Sequence, residues 1–114
     1  MPRHTVDFAA VRSIGLTLPD VRATRSTRGL SLRVKGRLVA CKAIHSSAEP
    51  NSLMVRIDNE SRKMLLASDP GTYYLTDHYA PYTAILVRLS KVGRTALRGL
   101  LAQACEFVSG GARA

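Results

Sequence analysis

A chain of 114 residues fits one domain, and a domain of this size buries roughly 65% of the surface its unfolded form exposes, so neither disulfides nor a metal is needed to hold a core. A composition of 46% hydrophobic and 22% charged residues is that of an ordinary globular protein and excludes disorder over most of the length. The charge balance is less ordinary: 17 Lys and Arg against 8 Asp and Glu give a formal net charge of +9, which favours nucleic acid, an anionic membrane surface or an acidic protein as partner, the alternative being an arginine-rich but inert surface.

The chain reads as a single domain over 1–114, with an ordered core over about 5–109. Thr5 is placed to cap a first helix, with Asp7 in its first turn and Val6, Ala10 and Ile14 recurring at helical spacing beside Phe8 and Ala9. Leu18-Pro19-Asp20 turns the chain, and the basic stretch from Val21 to Arg28 fits either a short edge strand or a loop. From Leu30 the period becomes two: Leu30, Leu32 and Val34 alternate with Ser31, Arg33 and Lys35. Gly36 then supplies the positive φ of a tight turn, and the more apolar Leu38 to Ile44 returns as a central strand. Leu53, Val55 and Ile57 mark a third strand.

Asp58 is placed to cap a second helix, with Met64, Leu65 and Ala67 on its apolar side and Asp69-Pro70-Gly71 as its stop. Strands over Thr72 to Thr76 and Ala84 to Leu89 follow, joined by the loop Asp77-His78-Tyr79-Ala80-Pro81-Tyr82-Thr83. Leu97, Leu100, Leu101, Ala104, Cys105 and Val108 form the apolar stripe of a final helix, which Gly110 ends. Gly99, inside that helix, suggests close packing against the sheet or a second subunit. The result is an α+β domain of order α-β(3)-α-β(2)-α, its mainly antiparallel sheet carrying helices on one face, with the other face open to solvent.

Three stretches then carry a family resemblance. They are the hairpin from Leu32 to Ala40, the segment from Val55-Arg56-Ile57-Asp58 to Asp69-Pro70, and, most specific, Thr76-Asp77-His78-Tyr79-Ala80-Pro81-Tyr82-Thr83-Ala84-Ile85-Leu86-Val87-Arg88-Leu89. With the flanking helices they resemble the MmcQ/YjbR family of small bacterial proteins over nearly the whole chain. The resemblance implies a fold similar to CyaY-like and secretion-chaperone-like domains. It also implies DNA binding, a role attributed to such proteins from their shape likeness to a double-wing DNA-binding domain. It brings no catalytic residues with it.

The candidate site is the strand face turned away from the helices. Arg33, Lys35, Arg56 and Arg88 fall there by alternation, and Arg28 extends the set at the edge together with Arg22 and Arg25. Such cations neutralise phosphates with little base reading, whereas an ordinary solvated sheet face is charged for solubility alone. In the aromatic loop, Tyr79 or Tyr82 is placed to stack on an exposed base and His78 to meet a phosphate; the competing reading has the tyrosines pinning the loop over the sheet, with Asp77 orienting His78.

Cys41 and Cys105 sit among apolar neighbours and read as buried, reduced thiols. His4, His45 and His78 lack metal-ligand spacing, and no phosphate-binding glycine loop or nucleophile motif occurs, so no metal, cofactor or enzymatic role is expected. No long apolar span or leader is visible, which points to the cytoplasm and away from membranes. The expected activity is binding of nucleic acid, DNA first, through phosphates. A non-enzymatic interaction domain docking an acidic protein is the alternative.

Overall fold

The computed structural model describes residues 6–110. Its first helix, α1 (Phe8–Gly15), is capped by Asp7, whose carboxylate accepts a hydrogen bond from the Ala10 N–H at 2.8 Å. The expected cap, Thr5, lies outside the described residues. Asp7 fills the role because an anion at a helix start meets both the free amide donors and the positive end of the helix dipole. Val6 and Ala10 are buried as their spacing predicts, and Val11 joins them.

The sheet begins with β1 (Val21–Ser26), so the ambiguous basic stretch is an edge strand. It continues with β2 (Gly29–Val34), β3 (Arg37–Lys42) and β4 (Ser52–Arg56); after α2 (Asn59–Ser68) come β5 (Tyr73–Tyr74), β6 (Ala84–Arg88) and the last helix, α3 (Arg94–Val108). The strand order is β1-β2-β3-β4-β6-β5, and every hydrogen-bonded pair is antiparallel. The excursion through α2 leaves a slot between β4 and β5, which β6 fills on its return. This is the α+β architecture the sequence implies.

Alternation decides which side chains meet the helices. Leu30, Leu32, Val34, Val55, Ile85 and Val87 form one buried layer against Leu97, Leu100, Leu101 and Ala104 of α3. Burying each such large aliphatic is worth about 1.5–3 kcal/mol, so this layer dominates stability. A register shift between Leu32 and Arg33 sets both Val39 and Ala40 into it, and keeps Arg33 opposite Leu38 on the other face.

Two expectations are corrected by packing. Met64 is 71% exposed and Ala67 is exposed as well, while Leu65 packs inward as its spacing predicts and Leu66 joins it, because α2 lies over the sheet margin with no fully buried residue. Gly99 lies in open space, where an added Cβ meets nothing within 4 Å, so it makes no close approach. That role falls to Gly15, where a Cβ would stand 2.7 Å from Leu32 Cδ1.

The far face of the sheet is also not simply open. The loop from Leu75 to Thr83 folds across part of it, building a second, smaller core of Met54, Tyr79, Ala84 and Leu86, edged by Leu38, Cys41 and Tyr74. Among the described residues, no helix is long and apolar enough to cross a membrane.

Candidate nucleic-acid interface

What the loop leaves uncovered is a groove of about 700 Å³ on the far face, walled on one side by His78, Tyr79 and Tyr82 and on the other by the β1–β2 hairpin. Its floor is apolar, from Leu38, Cys41 and Met54. Arg28, Arg33, Lys42 and Arg56 line it, and no carboxylate does. On the helix side a second cleft, of about 680 Å³, is lined by Asp20, Asp58 and Glu106 with Lys35 as its one cation. Two clefts of the same size thus carry opposite charge.

The strand cations divide into free and engaged groups. Arg33 stands directly opposite Arg22 across the β1–β2 ladder, and its guanidinium makes one long contact, 3.4 Å, to the Gly36 carbonyl. Like charges at directly opposed ladder positions repel, because their Cβ atoms are only about 4.5–5.5 Å apart. Among the described residues no hydrogen bond or ion pair holds the side chains of Arg22, Arg25 or Arg28. Arg28 sits in the exposed β1–β2 turn on the groove rim. Arg22, Arg33 and Arg28 are therefore available to an anion.

Arg88 is not available in that sense. It faces the far side as predicted, but its Nε and Nη2 donate to the two Glu49 carboxylate oxygens at 2.9 and 2.7 Å. Its Nη1 donates to the Pro70 and Gly71 carbonyls, each at 3.1 Å, and its Cζ lies 4.2 Å from the Tyr74 ring centroid. The paired guanidinium holds the Glu49 carboxyl below its ordinary value, and that hydrogen bond raises Arg88 in turn. Arg88 is a clamp between the β4 approach and the α2–β5 turn.

Arg56 is engaged as well, donating to the Thr83 carbonyl at 3.0 Å and to its hydroxyl at 2.8 Å, with its Cζ 5.8 Å from the Phe107 ring centroid. Lys35 does not share the strand face. It occupies the β2–β3 turn with φ 52, next to Gly36 at φ 81, and lines the acidic cleft. Alternation stops where the chain turns, so extrapolating the period one residue past Val34 put Lys35 on the wrong side. Lys42 lines the groove with its stem, while its ammonium stands 5.7 Å from the Phe8 ring centroid.

The aromatic loop splits into anchor and presented side chain. Tyr79 is buried, and its hydroxyl accepts from the His45 N–H at 3.2 Å. His78 is oriented by His45, not by Asp77: the two imidazoles stack with centroids 3.5 Å apart and planes 7° from parallel. His45 Nδ1 in turn accepts from the Ser47 N–H at 3.0 Å. Tyr82 stands 56% exposed on the groove, which Ile44, 55% exposed, also lines. Its backbone is fixed from below by Arg62, whose Nη1 donates to the Tyr82 carbonyl at 2.6 Å and to the Ala84 carbonyl at 3.1 Å. Arg62 has no sequence signal beyond a charge on a helix. Only the loop's return over α2 makes it a staple.

Both cysteines are half-buried, not fully buried. Burial pushes the Cys41 thiol up, with the Arg33 charge partly opposing, and pushes Cys105 up alone. A thiol held protonated is a poor nucleophile and serves the groove as apolar floor. Among the described residues no group of three or more His, Cys, Asp or Glu is placed to hold a metal.

Fold comparison agrees with this architecture. A six-stranded antiparallel sheet with three helices is the DUF419-type fold. The Deinococcus radiodurans protein DR2400, a crystal structure of a DUF419 domain, superposes with a TM-score of 0.73 over 96% of this chain and 83% of its own, at 22% identity. No family model matches the sequence. Uncharacterized proteins of Mycobacterium tuberculosis and Mycobacterium bovis are 39% identical over 51 residues, a match that spans 44% of this chain and 40% of the relatives' length.

Proposed function

We propose that this chain is a nucleic-acid-binding domain of the MmcQ/YjbR type, gripping phosphates on the groove side of its sheet with little sequence reading. The observation that carries the reading is the Arg22–Arg33 pair, opposed across a ladder, of which Arg33 lines a groove without carboxylates while Arg22 stands at the sheet edge beside Asp20 and Lys35. Two cations forced side by side at a free surface are relieved by an anion bound between them, so the site has its own electrostatic reason to take phosphate. Arg28 extends the pair along the rim. Arg88, Arg56 and Lys35 are left out of the contact set, and the acidic cleft on the helix side repels the same ligand.

The test is fluorescence anisotropy of labelled DNA at 50 and 200 mM salt. Three phosphates neutralised by Arg22, Arg28 and Arg33 make duplex affinity fall roughly 40-fold over that range, and single-strand affinity roughly 20-fold. The double variant Arg22→Glu with Arg33→Glu abolishes the binding, while Lys35→Glu leaves it within about threefold. Absence of binding by the wild type at 50 mM salt refutes the proposal and returns the positive charge to an acidic protein partner or to ordinary solvation.

A further inference from the structure

We infer that the groove accepts an unpaired nucleobase, which makes single-stranded nucleic acid the preferred ligand. This rests on the nucleic-acid reading above and narrows it. A patch that meets only duplex phosphates has no need of an apolar cavity beside its cations. Here the cations border a cavity of about 700 Å³ with a floor of Leu38, Cys41 and Met54. That volume lies within the range of about 300–1,000 Å³ typical of small-ligand sites. A duplex, its bases stacked inside, offers nothing to fill an apolar floor. A single strand offers bases whose faces are apolar and whose edges are polar.

The walls suit such a guest. Tyr82 presents its ring at the rim, with the His78 ring centroid 6.1 Å away and tilted by 50°. A base entering the groove can stack on the exposed Tyr82 ring at the rim and meets the apolar floor that Met54 helps to form. Ser26 and Ser31 put hydroxyls on the hairpin wall, where either donates or accepts and so tolerates any base edge.

The arrangement is also rigid before any ligand arrives. Arg62 holds the Tyr82 carbonyl at 2.6 Å, Arg56 holds Thr83, and Tyr79 is buried beneath. A stacking side chain on a stapled loop loses little conformational freedom when it binds. The geometry of the face sets the path of the strand. Arg22 and Arg33 lie on β1 and β2, and the Tyr82 wall rises beyond β4, at spacings of about 4.8 Å per strand. From β2 to β4 that is about 10 Å, so the cations hold the phosphate of a neighbouring nucleotide, not that of the stacked base itself.

The experiment compares a labelled oligothymidine, the same oligomer in a duplex, and an abasic oligomer of equal length, at 150 mM salt with wild type, Tyr82→Ala and Tyr82→Phe. Thermal melting confirms that each variant is folded, as an exposed side chain allows. The expected result is at least tenfold tighter binding of the oligothymidine than of either duplex or abasic strand. Tyr82→Ala then weakens oligothymidine binding about 5- to 100-fold and leaves duplex binding unchanged, while Tyr82→Phe behaves as wild type. Equal binding of all three ligands, insensitive to Tyr82→Ala, overturns the base pocket and leaves phosphate binding standing. Failure of all three ligands to bind even at 50 mM salt removes both.

Discussion

Arg33 and Arg88 both lie on the same sheet face, and their replacement by alanine is expected to differ sharply. Arg88→Ala removes two charged hydrogen bonds to the Pro70 and Gly71 carbonyls, each worth about 1 kcal/mol once discounted for exposure. It also removes a guanidinium 4.2 Å from the Tyr74 ring, a contact worth about 0.5–1 kcal/mol. The loss is therefore about 2–3 kcal/mol before its forked bond to Glu49 is considered. With a urea m-value of about 1.5 kcal/mol/M for a domain of this size, the midpoint falls by roughly 1.5 M. Arg33→Ala removes one contact of 3.4 Å and relieves repulsion with Arg22, so its midpoint stays within about 0.3 M of wild type or rises. Urea titration followed by circular dichroism measures both. Equal midpoints for the two variants refute the division into clamp and free cation.

Two helical glycines are expected to respond oppositely to alanine. Gly99→Ala in α3 meets open space and raises stability by about 0.5–1 kcal/mol, whereas Gly15→Ala drives a Cβ to 2.7 Å from the buried Leu32 and lowers it by about 1–3 kcal/mol, both readable from thermal melts. The Glu49 and Asp58 carboxyls sit below their ordinary values of 4.5 and 3.8, Glu49 through its hydrogen bond with Arg88 and Asp58 through its bonds with Ser61. Depressed folded values mean that their stabilisation is present above the unfolded values and lost as pH falls through the folded ones. Glu49→Gln and Asp58→Asn therefore flatten the stability–pH curve below about pH 5, measured by urea midpoints from pH 7 to pH 3. Arg62→Gln releases the Tyr82 and Ala84 carbonyls and speeds amide hydrogen exchange over residues 79–84 without changing it in α3.

Local pattern made most of the fold legible. Period two exposed β2, the stripe from Leu97 to Val108 gave α3, and Asp58 marked the start of α2 because a cap is a local signal. Alternation also turned Arg33 and Arg88 toward the right face. It could not tell which of them was free, since Glu49 reaches Arg88 across 39 positions and Thr83 reaches Arg56 across 27. The groove was hidden for the same reason. Its floor comes from β3 and β4, its wall from the β5–β6 loop, and the staple beneath that wall from α2. The loop did announce itself by aromatic density, but only tertiary packing separates buried Tyr79 from exposed Tyr82.

Binding in the groove is tested by amide chemical-shift mapping on the labelled protein as a short oligothymidine is added in low salt. Such binding shifts Arg22, Arg33, Cys41, Met54 and Tyr82, with Asp58 and Glu106 in the acidic cleft unmoved. Shifts centred on that acidic cleft, or none anywhere, would contradict it.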